Sequence, residues 1–173
     1  MIQLVFAHRG YEFGSKDGMP WKHISKDFQN FKLRTESTTL LMGAKTFASL
    51  PAILKGRKHI VVCDLNRPLP ITKSGESAHQ YIDEFKFRDI LKDHQHTDKV
   101  FSVIGGKHIL EGSLPFASRV IKTSIKVGHF DAKAPTQWLN SRFLNDIESM
   151  DIVESNFYDI DPTTEITETI YSK

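Results

Sequence analysis

Short apolar runs, separated by glycine, proline and polar clusters, set the rhythm of this chain. Residues 2–7, 38–42, 59–63, 78–82, 99–104 and 119–127 read as strands. The first runs show no clear alternation, which suits strands buried on both faces of a sheet. Between them the pattern changes to a helical period. Helices are predicted over residues 25 to about 35, from 45, over 107–114 and near 140–147. Another, capped by Asp83, runs to about Asp93 with Phe87, Ile90 and Leu91 on one face. Residues 150–158 and 165–171 form a closing hairpin about the turn at Asp161-Pro162. Strands alternating with helices predict an α/β fold: a single-domain three-layer sandwich with a mostly parallel central sheet and an antiparallel C-terminal hairpin.

Composition narrows this picture a little. At 173 residues the chain has the size of one domain and can form a full core. A formal net charge of +2 is too small for a general nucleic-acid or membrane surface, so anion binding must come from local clusters. The single cysteine, Cys63, excludes an internal disulfide and fits a reducing cytoplasm. The apolar run 1–7 is too short for a signal peptide or a membrane span, and His8 and Arg9 follow at once. His94 and His96 have no helical ligand spacing and no third ligand, so no metal is expected.

Four places carry candidate chemistry. At about 100° per residue Asp27, Phe31 and Arg34 fall on one helical stripe, with Ile24 and Phe28 beside it. A carboxylate on a core-facing stripe has a raised pKa and usually a partner or a task; Ser25 is the candidate N-cap. The polar loop 8–20, with its turn at Asp17-Gly18, is long for a compact domain unless it is functional. Strand, glycine and helix start recur at Gly43 and at Gly105-Gly106, where free amides and the dipole suit an anion. Arg57, in the basic turn 54–58, offers a planar fork suited to a carboxylate.

Met19-Pro20-Trp21, then Asp27 with Phe31 one turn on, resembles the active-site loop and first helix of dihydrofolate reductase. The resemblance continues at residues 42–47, at Gly56-Arg57-Lys58 and at Val103-Ile104-Gly105-Gly106, in order to about Ile125. It is strongest to the versions carried by large tailed bacteriophages. It implies NADPH-dependent reduction of 7,8-dihydrofolate to tetrahydrofolate by a cytoplasmic, antifolate-binding enzyme, a monomer or homodimer without nucleic-acid or membrane partners. Asp27 would bind the pterin's amino-pyrimidine edge and favour protonation of its imine nitrogen, with Trp21 and Thr123 holding a water. Val5, Phe6, Phe28, Phe31, Leu50, Leu54 and Ile104 would line the substrate pocket. Arg57, with Lys32 nearby, would take the carboxylate of the glutamate tail. Ala7, Phe13, Gly14, Met19, Gly43, Lys45, Thr46, Val62, Cys63, Asp64, Ile104, Gly105, Gly106, Lys107, His108 and Ile109 would hold NADPH. The Gly105-Gly106 bond would be cis.

The sequence also departs from the family pattern. Ala44 and Ala52 replace frequent arginines, the first of them a partner of the cofactor's 2′-phosphate. Lys107 stands at a common third glycine and Leu110 at a frequent tyrosine. Two other readings stay open: a related pterin or pyrimidine reductase, and a phage structural or interaction protein that retains the fold.

Overall fold

A computed structural model of the chain describes residues 1–15, 18–127 and 134–173. The chain divides into two compact units, Met1–Leu4 with Thr35–Ser118, and Val5–Arg34 with Arg119–Lys173.

The first unit contains the start of β1 (Ile2–His8), then β3 (Thr39–Gly43), α2 (Ala44–Ser49), β4 (Lys58–Val62), β5 (Gln80–Ile82), α3 (Glu84–His94), β6 (Phe101–Gly105) and α4 (Lys107–Ser113). Its strands lie in the order β5-β4-β3-β6-β1, and every neighbouring pair is parallel. Leu40, Leu41 and Met42 are all fully buried, as a strand covered on both faces requires. Leu40, Met42, Phe47 and Val61 centre an apolar cluster that Leu50, Ile53, Leu54, Tyr81 and Ile104 extend. The helix at Asp83 forms as its sequence predicts: the carboxylate accepts from the Lys86 amide at 2.9 Å, and Phe87, Ile90 and Leu91 are buried. Between β3 and β6 the register slips, so that Met42 faces Gly105 after Leu41 has faced Val103. That slip falls beside the Gly105-Gly106 bond, which is cis.

The second unit contains the end of β1, β2 (Glu12–Ser15), α1 (Ser25–Thr35), β7 (Arg119–Val127), β8 (Pro135–Trp138), α5 (Ser141–Glu148), β9 (Asp151–Asp161) and β10 (Thr164–Ser172). Here the order is β1-β7-β10-β9, with β10 antiparallel to both neighbours. Trp21, Ile24, Ile125 and Ile166 form its apolar centre, flanked by Ala7, Val127, Tyr158 and Ile160. The α/β class, the parallel strands and the antiparallel C-terminal hairpin are as the sequence pattern predicts.

Three local expectations need correction. The loop 8–20 contains a strand, β2, paired with β8 in a separate two-stranded sheet. Each strand has four residues and the pairing is bulged, so neither leaves a periodic signal in the sequence. Its Asp17-Gly18 turn lies partly outside the described residues. Ser25 is not the cap of α1: Phe28 N–H donates to the Ile24 carbonyl at 3.1 Å, which makes Ile24 the cap residue. Finally, Phe28 stands 37% exposed, whereas Asn30 is buried at 6%. Residues 27, 30 and 34 follow the i, i+3, i+7 spacing of one helix face, and Phe28 lies about 100° from Asp27.

Candidate active site

The second unit holds the buried carboxyl of Asp27. The start of α1 places Asp27 where the hydroxyl of Thr123, on β7, donates to its carboxylate. Burial pushes the Asp27 pKa from 3.8 up to about 6; the Thr123 bond opposes this, and the charge of Glu168 adds to it. Trp21 is 4% exposed, and its indole N–H is buried without a protein acceptor. A buried donor of that kind is costly unless a water or a ligand satisfies it.

The apolar residues of this unit fall into small groups. Val5 and Phe6 are buried. Phe6 packs against Phe13, with ring centres 6.4 Å apart, and against Phe143 at 5.6 Å. Ala7 touches the Trp21 cluster. Phe28 and Phe31 stack at 6.3 Å, and the Lys32 ammonium lies 5.0 Å over the Phe28 ring. Gly14 faces Gln137 across the small sheet, where a Cβ would stand 3.0 Å from the Gln137 amide oxygen. Met19 is exposed.

The first unit holds the glycine junctions. Gly43 and Gly106 are the N-caps of α2 and α4, and neither helix has a side-chain cap. The first-turn amides are therefore left for another acceptor. The two junctions approach closely: a Cβ at Gly43 would stand 3.6 Å from the Gly106 nitrogen and 3.5 Å from Ile109, and one at Gly106 would stand 3.7 Å from the Thr46 hydroxyl. Gly105 has φ 141°, a conformation open to glycine alone. Val62 is the register partner of Gly43. Leu50, Leu54, Cys63 and Ile104 pack on the Leu40–Phe47 cluster. Lys45 and His108 are exposed, and Lys107 lies 4.0 Å from Glu111. Asp64 accepts from the Asn66 amide at 2.9 Å, and Arg67 turns back to within 3.5 Å of it, both side chains well exposed.

Arg57 sits on a braced turn. Its Nε donates to the Thr35 hydroxyl at 3.0 Å and a terminal nitrogen donates to the Lys55 carbonyl at 2.6 Å. Fully buried His59 ties the turn from inside. Its Nε2 accepts from the Leu54 amide at 3.1 Å, which leaves Nδ1–H to donate to the Arg57 carbonyl at 3.0 Å. Burial lowers the His59 pKa, so the neutral ring that this geometry needs is the favoured one.

The dihydrofolate reductase family model matches residues 1–163. The chain belongs to the dihydrofolate reductase family. Among its relatives, the type A10 dihydrofolate reductase of Escherichia coli is 34% identical over 155 residues, covering 82% of this chain and 76% of that protein. The dihydrofolate reductase of Bacillus subtilis is 32% identical over 127 residues, or 72% of this chain and 69% of the other. The solved dihydrofolate reductase from Enterococcus faecalis, complexed with NADP(H) and RAB-propyl, superposes with a TM-score of 0.75. It covers 100% of this chain and 96% of its own at 20% identity, a likeness of fold.

Sequence reasoning missed Glu168 and His59 in this dihydrofolate reductase. Glu168 did leave a signal: the period of two puts Ile166, Glu168 and Ile170 on one face of β10, a single charge on an apolar face. His59 left none, because both of its partners lie in an irregular turn.

Proposed function

We propose that the chain reduces 7,8-dihydrofolate to 5,6,7,8-tetrahydrofolate with NADPH, and that Asp27 is the acid which makes the pterin a hydride acceptor. The observation that carries this is the Asp27 carboxyl, pushed up to about 6 by burial and hydrogen-bonded to Thr123. A group that titrates near neutral pH can hold its proton where the reaction runs.

Asp27 would bind the amino-pyrimidine edge of the pterin and favour protonation of the imine nitrogen. Thr123 orients the carboxyl, and the Trp21 indole N–H would share a water with it, answering its missing acceptor. By the family resemblance, Val5, Phe6, Phe28, Phe31, Leu50, Leu54 and Ile104 would exclude water from the pterin and aryl groups. Arg57 would take the tail carboxylate, with Lys32 adding positive charge. NADPH, when bound, supplies the hydride. The residues fit it: two uncapped helix starts meet with Gly43 close to the Gly106 nitrogen, a cradle for a pyrophosphate. Thr46, Val62, Cys63, Lys107, His108 and Ile109 would line that cradle, and Lys45 would face the 2′-phosphate. Ala7, Phe13, Gly14 and Met19 would lie along the nicotinamide end. As a version of the kind carried by large tailed bacteriophages, the enzyme would work in a host cytoplasm, as a monomer or homodimer.

The test is the loss of NADPH absorbance with dihydrofolate. Asp27→Asn should lower the hydride step by about 10²–10⁴-fold at neutral pH, with the deficit shrinking in acid as solvent protonates the substrate. Wild-type turnover by this variant at neutral pH would refute the assignment.

A further inference from the structure

Glu168 is 1% exposed, a carboxylate enclosed by the fold. Its register partners are Thr123 on β7 and Asn156 on β9, so the three side chains form one rung across β7, β10 and β9. The adjacent rungs on the same face are Ile125-Ile166-Tyr158 and Ile121-Ile170-Glu154. A charge buried between such rungs is tolerated only when it is paired and hydrogen-bonded.

Arg34 supplies the pairing. A terminal nitrogen of its guanidinium donates to Glu168 Oε1 at 2.8 Å and Nε donates to Oε2 at 3.3 Å, a two-pronged contact that pairs the carboxylate and fixes it in place. Asn156 Nδ2 lies 3.4 Å from the same Oε1 and donates to Glu154 at 2.9 Å, while Arg34 also reaches Glu154 at 3.5 Å. On α1, Arg34 lies seven residues beyond Asp27, two turns along the same stripe. The rung that holds Glu168 therefore also holds Thr123, which donates to Asp27.

We propose that Glu168, paired with Arg34, is a positioning residue that acts through Asp27 and sets the pH range over which the enzyme reduces its substrate. This rests on Asp27 being the acid. A fixed negative charge nearby disfavours a second one, so Glu168 helps to keep the proton on Asp27. The groups that bear on Asp27 are Thr123 from β7 and Glu168 from β10; Arg34 of α1, with Glu154 and Asn156 of β9, meets the Glu168 carboxylate. Arg34 turns its charge to Glu168 and Glu154, so it anchors the effect without cancelling it.

The test is the pH profile of the hydride step at saturating NADPH and dihydrofolate. Glu168→Gln keeps the shape of the side chain, and Arg34 retains Glu154. Its inflection should move to lower pH by about half to one unit, with turnover above the inflection falling about three- to tenfold and the acid plateau unchanged. Glu168→Asp keeps the charge and should keep the wild-type inflection. An unmoved inflection in Glu168→Gln, or equal shifts in both variants, overturns the proposal. If Glu168→Gln does not fold, the double variant Arg34→Gln with Glu168→Gln leaves no unpaired buried charge. It should shift in the same direction, and an unmoved inflection there overturns the proposal as well. Asp27→Asn separates the two ideas. Loss of the inflection there, with wild-type behaviour in Glu168→Gln, removes Glu168 alone; a wild-type profile in Asp27→Asn removes Asp27 itself.

Discussion

A single carboxyl shows what burying an acidic group costs this fold. The Asp27 pKa rises on folding from 3.8 to about 6, so folding favours its protonated form. That contribution is complete below 3.8 and is lost as pH rises through the folded value. Above it, an ionised Asp27 costs on the order of 3 kcal/mol. Asp27→Asn should therefore be more stable than wild type at pH 8 by up to about 3 kcal/mol, with the gain gone near pH 4. Denaturant midpoints at the two pH values check this, and an equal gain at both would point to packing instead. Asp64 is the second case. Arg67 lies 3.5 Å away with both side chains exposed, so it offsets the aspartate weakly and salt screens the pair. Asp64→Ser should widen the preference for NADPH over NADH, but by less than about tenfold, and less again in high salt. An unchanged ratio of catalytic efficiencies would place the 2′-phosphate elsewhere.

At the scale of elements, the two strand-glycine-helix junctions were legible because the glycines punctuate buried runs. Their mutual approach was not, since Gly43 and Gly106 are far apart in sequence and meet only through the pairing of β3 with β6. Gly43 has φ −81° and ψ 170°, which any residue adopts, and a Cβ there would make ordinary contacts. Gly43→Ala should therefore fold with a near wild-type melting temperature yet bind NADPH roughly tenfold more weakly, about 1.4 kcal/mol. A thermal scan and a fluorescence titration distinguish the two effects. Unchanged affinity would show that the space beside Gly43 is not part of the cofactor site. The turn around Arg57 teaches the complementary lesson. Its arginine stood out in the sequence as a candidate, but the buried His59 that ties the turn at Leu54 and Arg57 did not.

At the scale of the whole molecule, β1 belongs to both compact units, giving Ile2–Leu4 to one and Val5–His8 to the other. We propose that the chain nonetheless behaves as one domain, because neither unit keeps its β1 segment in place if the other melts. Calorimetry should show one transition with equal calorimetric and van't Hoff enthalpies; two resolved transitions would mean that the units unfold independently. The sequence by itself determined the α/β class and most of the strands and helices, and it put forward Asp27, Arg57 and the paired glycines as candidates. Those signals are local: apolar runs, helical period, punctuation by glycine, and the chemistry of one side chain. Tertiary structure decided what depends on partners distant in sequence. It paired β2 with β8 across more than a hundred residues, exposed Phe28 while burying Asn30, and set Glu168 against Arg34 in one rung with Thr123. Register across a sheet and desolvation of a charge are properties of the assembled fold, and no window along the chain contains them.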